Sequence, residues 1–470
     1  MKYELVSGLE THVELSTATK IFCSCTTAFG GAPNTHCCPV CTGMPGALPI
    51  LNQKVVEYAI RAGLATHCTI NEITHMDRKN YCYPDLPKAY QISQFDEPVC
   101  EHGYVELDSG KKIGITRIHI EEDAGKLVHE RGFTFVDYNR GGVPLIEIVS
   151  EPDISSPEEA KEYLEKLQLI MRYIGVSDCK MQEGSMRADV NISLRPVGSK
   201  TLGTRTEIKN MSSPSFIVKA MQYEYERQAE LLDRGEEIEQ ATLRYNESEN
   251  TTSKMRGKED AQDYRYFPEP DILTVHIPKE KIEEVKSSLP ELPTDKFRRY
   301  VRELGLSEST AKLIYPYRNV AKYYETVLSK GVSPRTSANL IVGTVYATLK
   351  TEEEKEAFSI AVPEAELALL VSYVDSGKLQ ASKAGSILLQ MLESGKPVSA
   401  YVREEDLKGL SDEELKKLCE GAIAANPKAV EDFKAGKQKA IGSLFGFLMK
   451  QSRGKADVKK AEVILRELLK

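Results

Sequence analysis

The chain has 470 residues, 41% of them hydrophobic, which is more than one core usually organises and enough to build two or three domains. No run of 18 apolar residues spans a bilayer, and the charged start Met1-Lys2-Tyr3-Glu4 does not read as a signal peptide, so a soluble globular protein of the cytoplasm is expected. A net charge of -8 excludes a protein coated in nucleic-acid-binding charge, although ten Lys or Arg against three acids leave residues 434–470 at +7.

In chain order, Leu9-Glu10-Thr11-His12-Val13-Glu14-Leu15 alternates with strand period and sets Glu10, His12 and Glu14 on one face. Next come Cys23-x-Cys25 and Cys38-x-x-Cys41, with Pro39 and Gly43 supplying a tight turn, the spacing of a zinc knuckle. Four thiolates close a tetrahedral shell, so such a zinc is structural; Cys37 competes with Cys38 for the third position, and unconnected reduced thiols are the plain alternative. The remaining cysteines, Cys68, Cys82, Cys100, Cys179 and Cys419, are isolated and read as small core residues.

Carboxylates then recur in strand-like segments beside glycine or apolar residues: Glu121, Glu122 and Asp123, then Glu147, then Asp189, in addition to Glu10. Carboxylates on buried strands need partners, either a divalent cation such as Mg²⁺ or the arginines Arg117, Arg140, Arg187 and Arg205. Ser156-Pro157-Glu158-Glu159 predicts a capped helix running to Gly175. Asp189-Val190-Asn191-Ile192-Ser193-Leu194-Arg195 is a strand with one packed and one polar face, and Arg205, Glu207 and Lys209 repeat that pattern. A second helix over 214–235 leaves the polar strand faces free on the other side of the sheet, the place for a ligand.

From about residue 295 nearly every segment has helical period, with breaks at Leu289-Pro290-Glu291-Leu292-Pro293 and at Gly395-Lys396-Pro397. The last part carries capped helices, among them Ser411-Asp412-Glu413-Glu414 and the segment 440–450. The expectation is an α+β domain with an antiparallel sheet over 1–293, the knuckle at 23–41 within it, an all-α domain over 294–396, and a basic helical tail over 397–470. No phosphate-binding P-loop occurs, and nothing resembles a Ser-His-Asp or Cys-His nucleophile system.

Several strings, Gly8-Leu9-Glu10-Thr11-His12-Val13-Glu14-Leu15, Asp77-Arg78-Lys79-Asn80-Tyr81-Cys82-Tyr83-Pro84-Asp85, His119-Ile120-Glu121-Glu122-Asp123-Ala124-Gly125-Lys126, Pro144-Leu145-Ile146-Glu147-Ile148-Val149-Ser150 and Asp263-Tyr264-Arg265-Tyr266-Phe267-Pro268-Glu269-Pro270-Asp271, closely resemble the family of glutamyl/aspartyl-tRNA amidotransferase B subunits. The resemblance covers essentially the whole chain. It implies a cradle domain similar to glutamine synthetase, a helical domain and a tail domain that binds tRNA. It further implies ATP-dependent phosphorylation of the side-chain carboxylate of Glu-tRNA(Gln) or Asp-tRNA(Asn), followed by amidation with ammonia from a partner glutaminase. On matching motifs it marks Glu10, His12, Glu122, Glu147 and Asp189 as catalytic, the first four of them as magnesium ligands, with Arg187, Arg205 and Lys209 holding ATP. The implied assembly is a heterotrimer with an amidase A subunit and a small C subunit; a non-catalytic tRNA-binding scaffold is the competing class. The chain departs from the family pattern at Thr74-His75-Met76, Cys82 and Met211-Ser212-Ser213-Pro214, departures that bear on packing and one loop.

Overall fold

The computed structural model describes residues 2–257, 263–402, 412–434, 441–452, 456 and 458–469. It divides into two compact units, 1–292 and 293–470. The first is mixed α+β and the second helical.

The first unit is built on a nine-stranded sheet. Its strands and those of three small sheets are, in chain order, β1 (Tyr3–Glu14), β2 (Thr69–Ile70), β3 (Ile73–Thr74), β4 (Asp77–Asn80), β5 (Tyr90–Ser93), β6 (Cys100–Glu106), β7 (Lys112–Glu122), β8 (Lys126–Glu130), β9 (Phe133–Asp137), β10 (Pro144–Ser150), β11 (Met186–Pro196), β12 (Thr206–Lys209), β13 (Ala241–Asn246), β14 (Thr251–Gly257), β15 (Phe267–Pro268) and β16 (Val275–His276). The large sheet runs β14-β13-β12-β11-β1-β10-β7-β6-β2, antiparallel throughout apart from the parallel pair β12 and β13. Three-stranded β15-β4-β5 is anchored to β7 through side chains of β5 and the residues after it: Gln91 Nε2 donates to the Glu122 carbonyl (2.7 Å), and Ile120 N donates to Gln94 Oε1 (2.9 Å).

Alternation decides which face of the sheet is packed. Leu9 and Val13 of β1, Ile146 and Ile148 of β10, Ile118 and Ile120 of β7 and Val190 and Ile192 of β11 are buried in one cluster. Helices α1 (Gln53–Ala65), α2 (Pro157–Tyr173) and α3 (Pro214–Asp233) add Ile60, Leu164, Leu167, Ile217 and Met221 to it. Each such side chain contributes about 1.5–3 kcal/mol on burial, so shifting a central strand by one residue would expose its apolar set and bury the polar one.

Both predicted helices are present. Ser156 caps α2 by accepting from Glu159 N (3.2 Å), while the Glu159 carboxylate accepts from Ser155 N (2.8 Å), so the reciprocal half of the capping box is displaced by one residue. Ser213 caps α3. Gly175 and Gly235 follow the helix ends with φ of 72° and 75°, a left-handed conformation that costs glycine least.

In the second unit one buried cluster gathers residues from Tyr300 to Val402 and another gathers residues from Leu415 to Leu469. Helix Ala381–Ser394 stops at Gly395, also left-handed, but Val398 and Val402 beyond it still pack into the first of these clusters. Helices Asp412–Ala425, Pro427–Lys434, Ile441–Gln451 and Val458–Leu468 build the last part, while the expected cap Ser411 lies outside the described residues. Among the described residues no helix is long and apolar enough to cross a membrane.

Candidate active site on the open sheet face

The polar face opposite the helices is continuous across five strands, because cross-strand partners in the register point the same way. His12 of β1 faces Glu147 of β10 on one side and Arg187 of β11 on the other; Glu147 faces His119 of β7 in turn. Glu10 faces Asp189, and Asn191 faces Glu207 of β12. Two groups of metal-ligating atoms result, His12 with Glu121 and Glu147, and Glu10 with Asp189 and Glu207.

In the first group His12 Nε2 stands 3.3 Å from Glu147 Oε2 and 3.5 Å from Glu121 Oε1, and His119 Nε2 stands 3.5 Å from Glu147 Oε2. Burial works against a charged His12, but its bond to Glu147 and the charges of Glu121, Glu147 and Asp189 prevail and lift it to about 9. His119 is pushed down to about 4, chiefly by burial, against the attraction of Glu147 and with the charges of Arg117, His12 and Lys79 adding to the fall. Burial raises Glu121 to about 7, whereas Glu147 is held below the usual carboxylate range because the imidazoles of His119 and His12 overcome its own burial. A cation bound by His12 takes the place of its proton, since only neutral imidazole ligates.

In the second group Lys209 Nζ lies 2.5 Å from Asp189 Oδ2 and 2.8 Å from Glu207 Oε1. Despite its burial the two carboxylates hold Lys209 above its ordinary range. Asn191 Nδ2 donates to Glu10 Oε1 (2.8 Å), and the Glu10 carboxyl is raised mainly by burial and then by the charge of Glu147. Arg187 pairs with Asp123 (3.1 Å), beside Glu14, which burial and Asp123 raise to about 7.

Over this face stands a wall from the small sheet. Lys79 of β4 lies 4.9 Å from the Tyr264 ring centroid, and the charges of Glu121 and Glu147 hold it above its ordinary range although burial pulls the other way. Phe95 stacks on Tyr266 with centroids 4.4 Å apart, and Arg78 grips Glu269 through two hydrogen bonds of 2.6 and 2.8 Å.

Most of the expected site residues meet here: Glu10, His12, Glu147, Asp189, Arg187 and Lys209. Glu122 does not. One step of strand alternation turns it to the opposite face, where its carboxylate accepts from Lys88 Nζ (2.5 and 2.7 Å) and from Ile92 N (2.9 Å), so it ties β5 to β7 and stands apart from His12, Glu121 and Glu147. Glu121, one residue earlier, is the carboxylate that lies beside His12 and Glu147. Arg205 is exposed just before β12, lining the cleft that also holds Glu10 and Asn191. Sequence reasoning did not select His119, Glu207, Lys79 or the tyrosine wall. Its usable signal was Arg117-Ile118-His119-Ile120-Glu121, where charged and apolar residues alternate.

Away from this face, Cys23, Cys25, Cys38 and Cys41 bring their sulfurs within 4.8 Å of one another. Cys41 Sγ accepts from Cys38 N (3.1 Å), and its hydrogen bond with Cys23 is the main reason it is held well below the usual thiol range. Cys37 points instead to Asn139 Oδ1 (3.8 Å).

Of the ten basic residues counted over 434–470, Lys460 and Arg466 are described and exposed, Arg466 pairing with Glu462 (2.9 Å). The side chains of Lys434, Lys437, Lys439, Lys450, Arg453, Lys455, Lys459 and Lys470 lie outside the described residues.

The first, α+β unit thus carries imidazoles, carboxylates and cationic side chains together on one open sheet face, and a helical unit follows it. Residues 5–283 match the family described as the GatB/GatE catalytic domain, and residues 322–469 match the GatB domain. The aspartyl/glutamyl-tRNA(Asn/Gln) amidotransferase B subunits of three bacteria are similar to this chain over nearly its whole length. That of Thermoanaerobacter pseudethanolicus is 52% identical over 100% of both chains. That of Caldanaerobacter subterraneus subsp. tengcongensis is 50% identical over 100% of both, and that of Clostridium botulinum 49% identical over 97% of both. The chain belongs to the family of aspartyl/glutamyl-tRNA(Asn/Gln) amidotransferase B subunits.

Proposed function

We propose that this subunit activates the side-chain carboxylate of a misacylated tRNA, Glu-tRNA(Gln) or Asp-tRNA(Asn), with ATP, and that ammonia then converts it to Gln-tRNA(Gln) or Asn-tRNA(Asn). The observation that carries the reading is the pair of adjoining groups, His12 with Glu121 and Glu147 and Glu10 with Asp189 and Glu207, set among Lys79, Arg187 and Lys209. A carboxylate resists ammonia because oxide is a poor leaving group. In the first step a carboxylate oxygen bonds to the γ-phosphorus as the bond to ADP breaks. In the second, the ammonia nitrogen bonds to the carbonyl carbon and phosphate departs with the carbon–oxygen electron pair.

The first step brings two anions together, so it needs positive charge beside the phosphoryl oxygens. Mg²⁺ fits the oxygen-rich donor sets of these two groups and, when bound, supplies that charge. Lys79 and Lys209, both held protonated by neighbouring carboxylates, add theirs, with Arg187 beside them. Tyr81, Tyr264 and Tyr266 shield the face from water, which would otherwise hydrolyse the acyl phosphate.

The same reading divides the chain into a glutamine synthetase-like cradle at 1–293, a helical domain at 294–396 and a tRNA-binding tail at 397–470. Zn²⁺ on Cys23, Cys25, Cys38 and Cys41 braces the cradle. An amidase subunit supplies ammonia within a heterotrimer that includes a small third subunit, in the cytoplasm. The test is to co-express the three subunits and measure phosphate release with each misacylated tRNA. Release that requires Glu-tRNA(Gln) or Asp-tRNA(Asn) supports the reading. Bound tRNA without release would instead mark a non-catalytic scaffold.

A further inference from the structure

Where β4 begins and the residues after β5 turn away, three side chains converge outside both groups described above. His75 Nε2 lies 3.3 Å from Asp77 Oδ1 and 3.2 Å from Asp96 Oδ1. The three ligand atoms lie within 4.8 Å of one another. The Asp77 side chain is only 3% exposed. His75 Nε2 is itself a buried atom, and among the described residues it has no hydrogen-bond partner.

That combination is poorly explained by an ordinary ion pair. A protonated imidazole between two carboxylates would aim its N–H at one of them, whereas this nitrogen lies near both oxygens and makes a hydrogen bond of good geometry to neither. Two ligands held about 2.1 Å from zinc at the tetrahedral angle stand about 3.4 Å apart, close to both separations seen here. One imidazole and two carboxylates are also a donor set that suits a borderline divalent ion and leaves positions for water.

We propose that His75, Asp77 and Asp96 form a site for a divalent transition metal, zinc by donor set and spacing, separate from the cysteine cluster and from the open sheet face. Its effect is mechanical. Asp77 Oδ2 already accepts from Phe95 N (2.9 Å), and Phe95 stacks on Tyr266. An ion joining Asp77 to Asp96 clips the turn after β5 to β4 and holds the aromatic wall over the site at a fixed height. The proposal does not depend on which reaction that site performs.

The test uses the full chain, stripped with chelator, re-equilibrated with buffered zinc alone, separated from free ion and analysed for metal. Three proteins are compared: wild type, His75→Gln and Asp96→Ala. The expected result is one zinc ion fewer per chain in each variant than in wild type. Asp96 is exposed, so Asp96→Ala keeps the experiment decisive even where His75→Gln does not fold. Equal zinc content in Asp96→Ala and wild type overturns the proposal.

Discussion

His12 on β1 and Glu147 on β10 stand directly opposite each other in the antiparallel register, with Nε2 and Oε2 3.3 Å apart, and each is brought there by a strand whose alternate residues fill the core. The pair is therefore positioned by two neighbouring strands in the middle of the packed sheet. His12→Ala and Glu147→Gln are expected to lower tRNA-dependent phosphate release by about 100-fold or more while leaving tRNA affinity nearly unchanged, as removal of a ligand or its orienting partner does. Single-turnover phosphate release together with filter binding measures both, and near-wild-type release by both variants would remove this pair from the chemistry.

Glu121 and Glu122 are neighbours in sequence with different work. Glu121→Gln keeps the shape of a buried side chain and is expected to cut phosphate release at least about tenfold with little change in melting temperature. Glu122→Ala strands Lys88 and Ile92 N and should instead cost about 3 kcal/mol of stability, since breaking a buried pair leaves an uncompensated charge. Denaturant unfolding beside the activity assay separates them, and the opposite pattern would reverse the assignment.

The cysteine cluster predicts one bound zinc. Cys38→Ser should lose it and lower the melting temperature, whereas Cys37→Ser should retain it, because Cys37 faces Asn139. Elemental analysis of the two purified variants decides the matter, and retention of zinc by Cys38→Ser would show that this thiol is no ligand.

The basic tail is expected to hold tRNA through phosphate and shape contacts. A chain ending at Val402, which keeps Val398 and Val402 in the preceding core, should bind tRNA more weakly and with a shallower salt dependence than the intact chain within the assembled complex. Glutamine hydrolysis by the partner should remain measurable. Unchanged affinity and an unchanged salt slope would place the tRNA contacts elsewhere.

Strand period alone sufficed to put Glu10, His12 and Glu14 on one face of β1 and Asp189 and Asn191 on one face of β11, because side chains on a strand must alternate and the apolar set must be buried. The two helices with their serine caps and the approach of the four cysteine sulfurs were legible for equally local reasons: propensity, capping and close spacing act over a few residues. Which strands lie side by side is not local. The order β12-β11-β1-β10-β7 brings Glu207, Asp189, Glu10, His12, Glu147 and His119 together from segments up to about two hundred residues apart, and only the packing of the whole sheet against α1, α2 and α3 selects that order. Lys79 and the tyrosines join the site for the same reason, since β4 reaches it through the hydrogen bonds that Gln91 and Ile92 make to Glu122, a carboxylate that local sequence offers equally as a ligand and as an anchor.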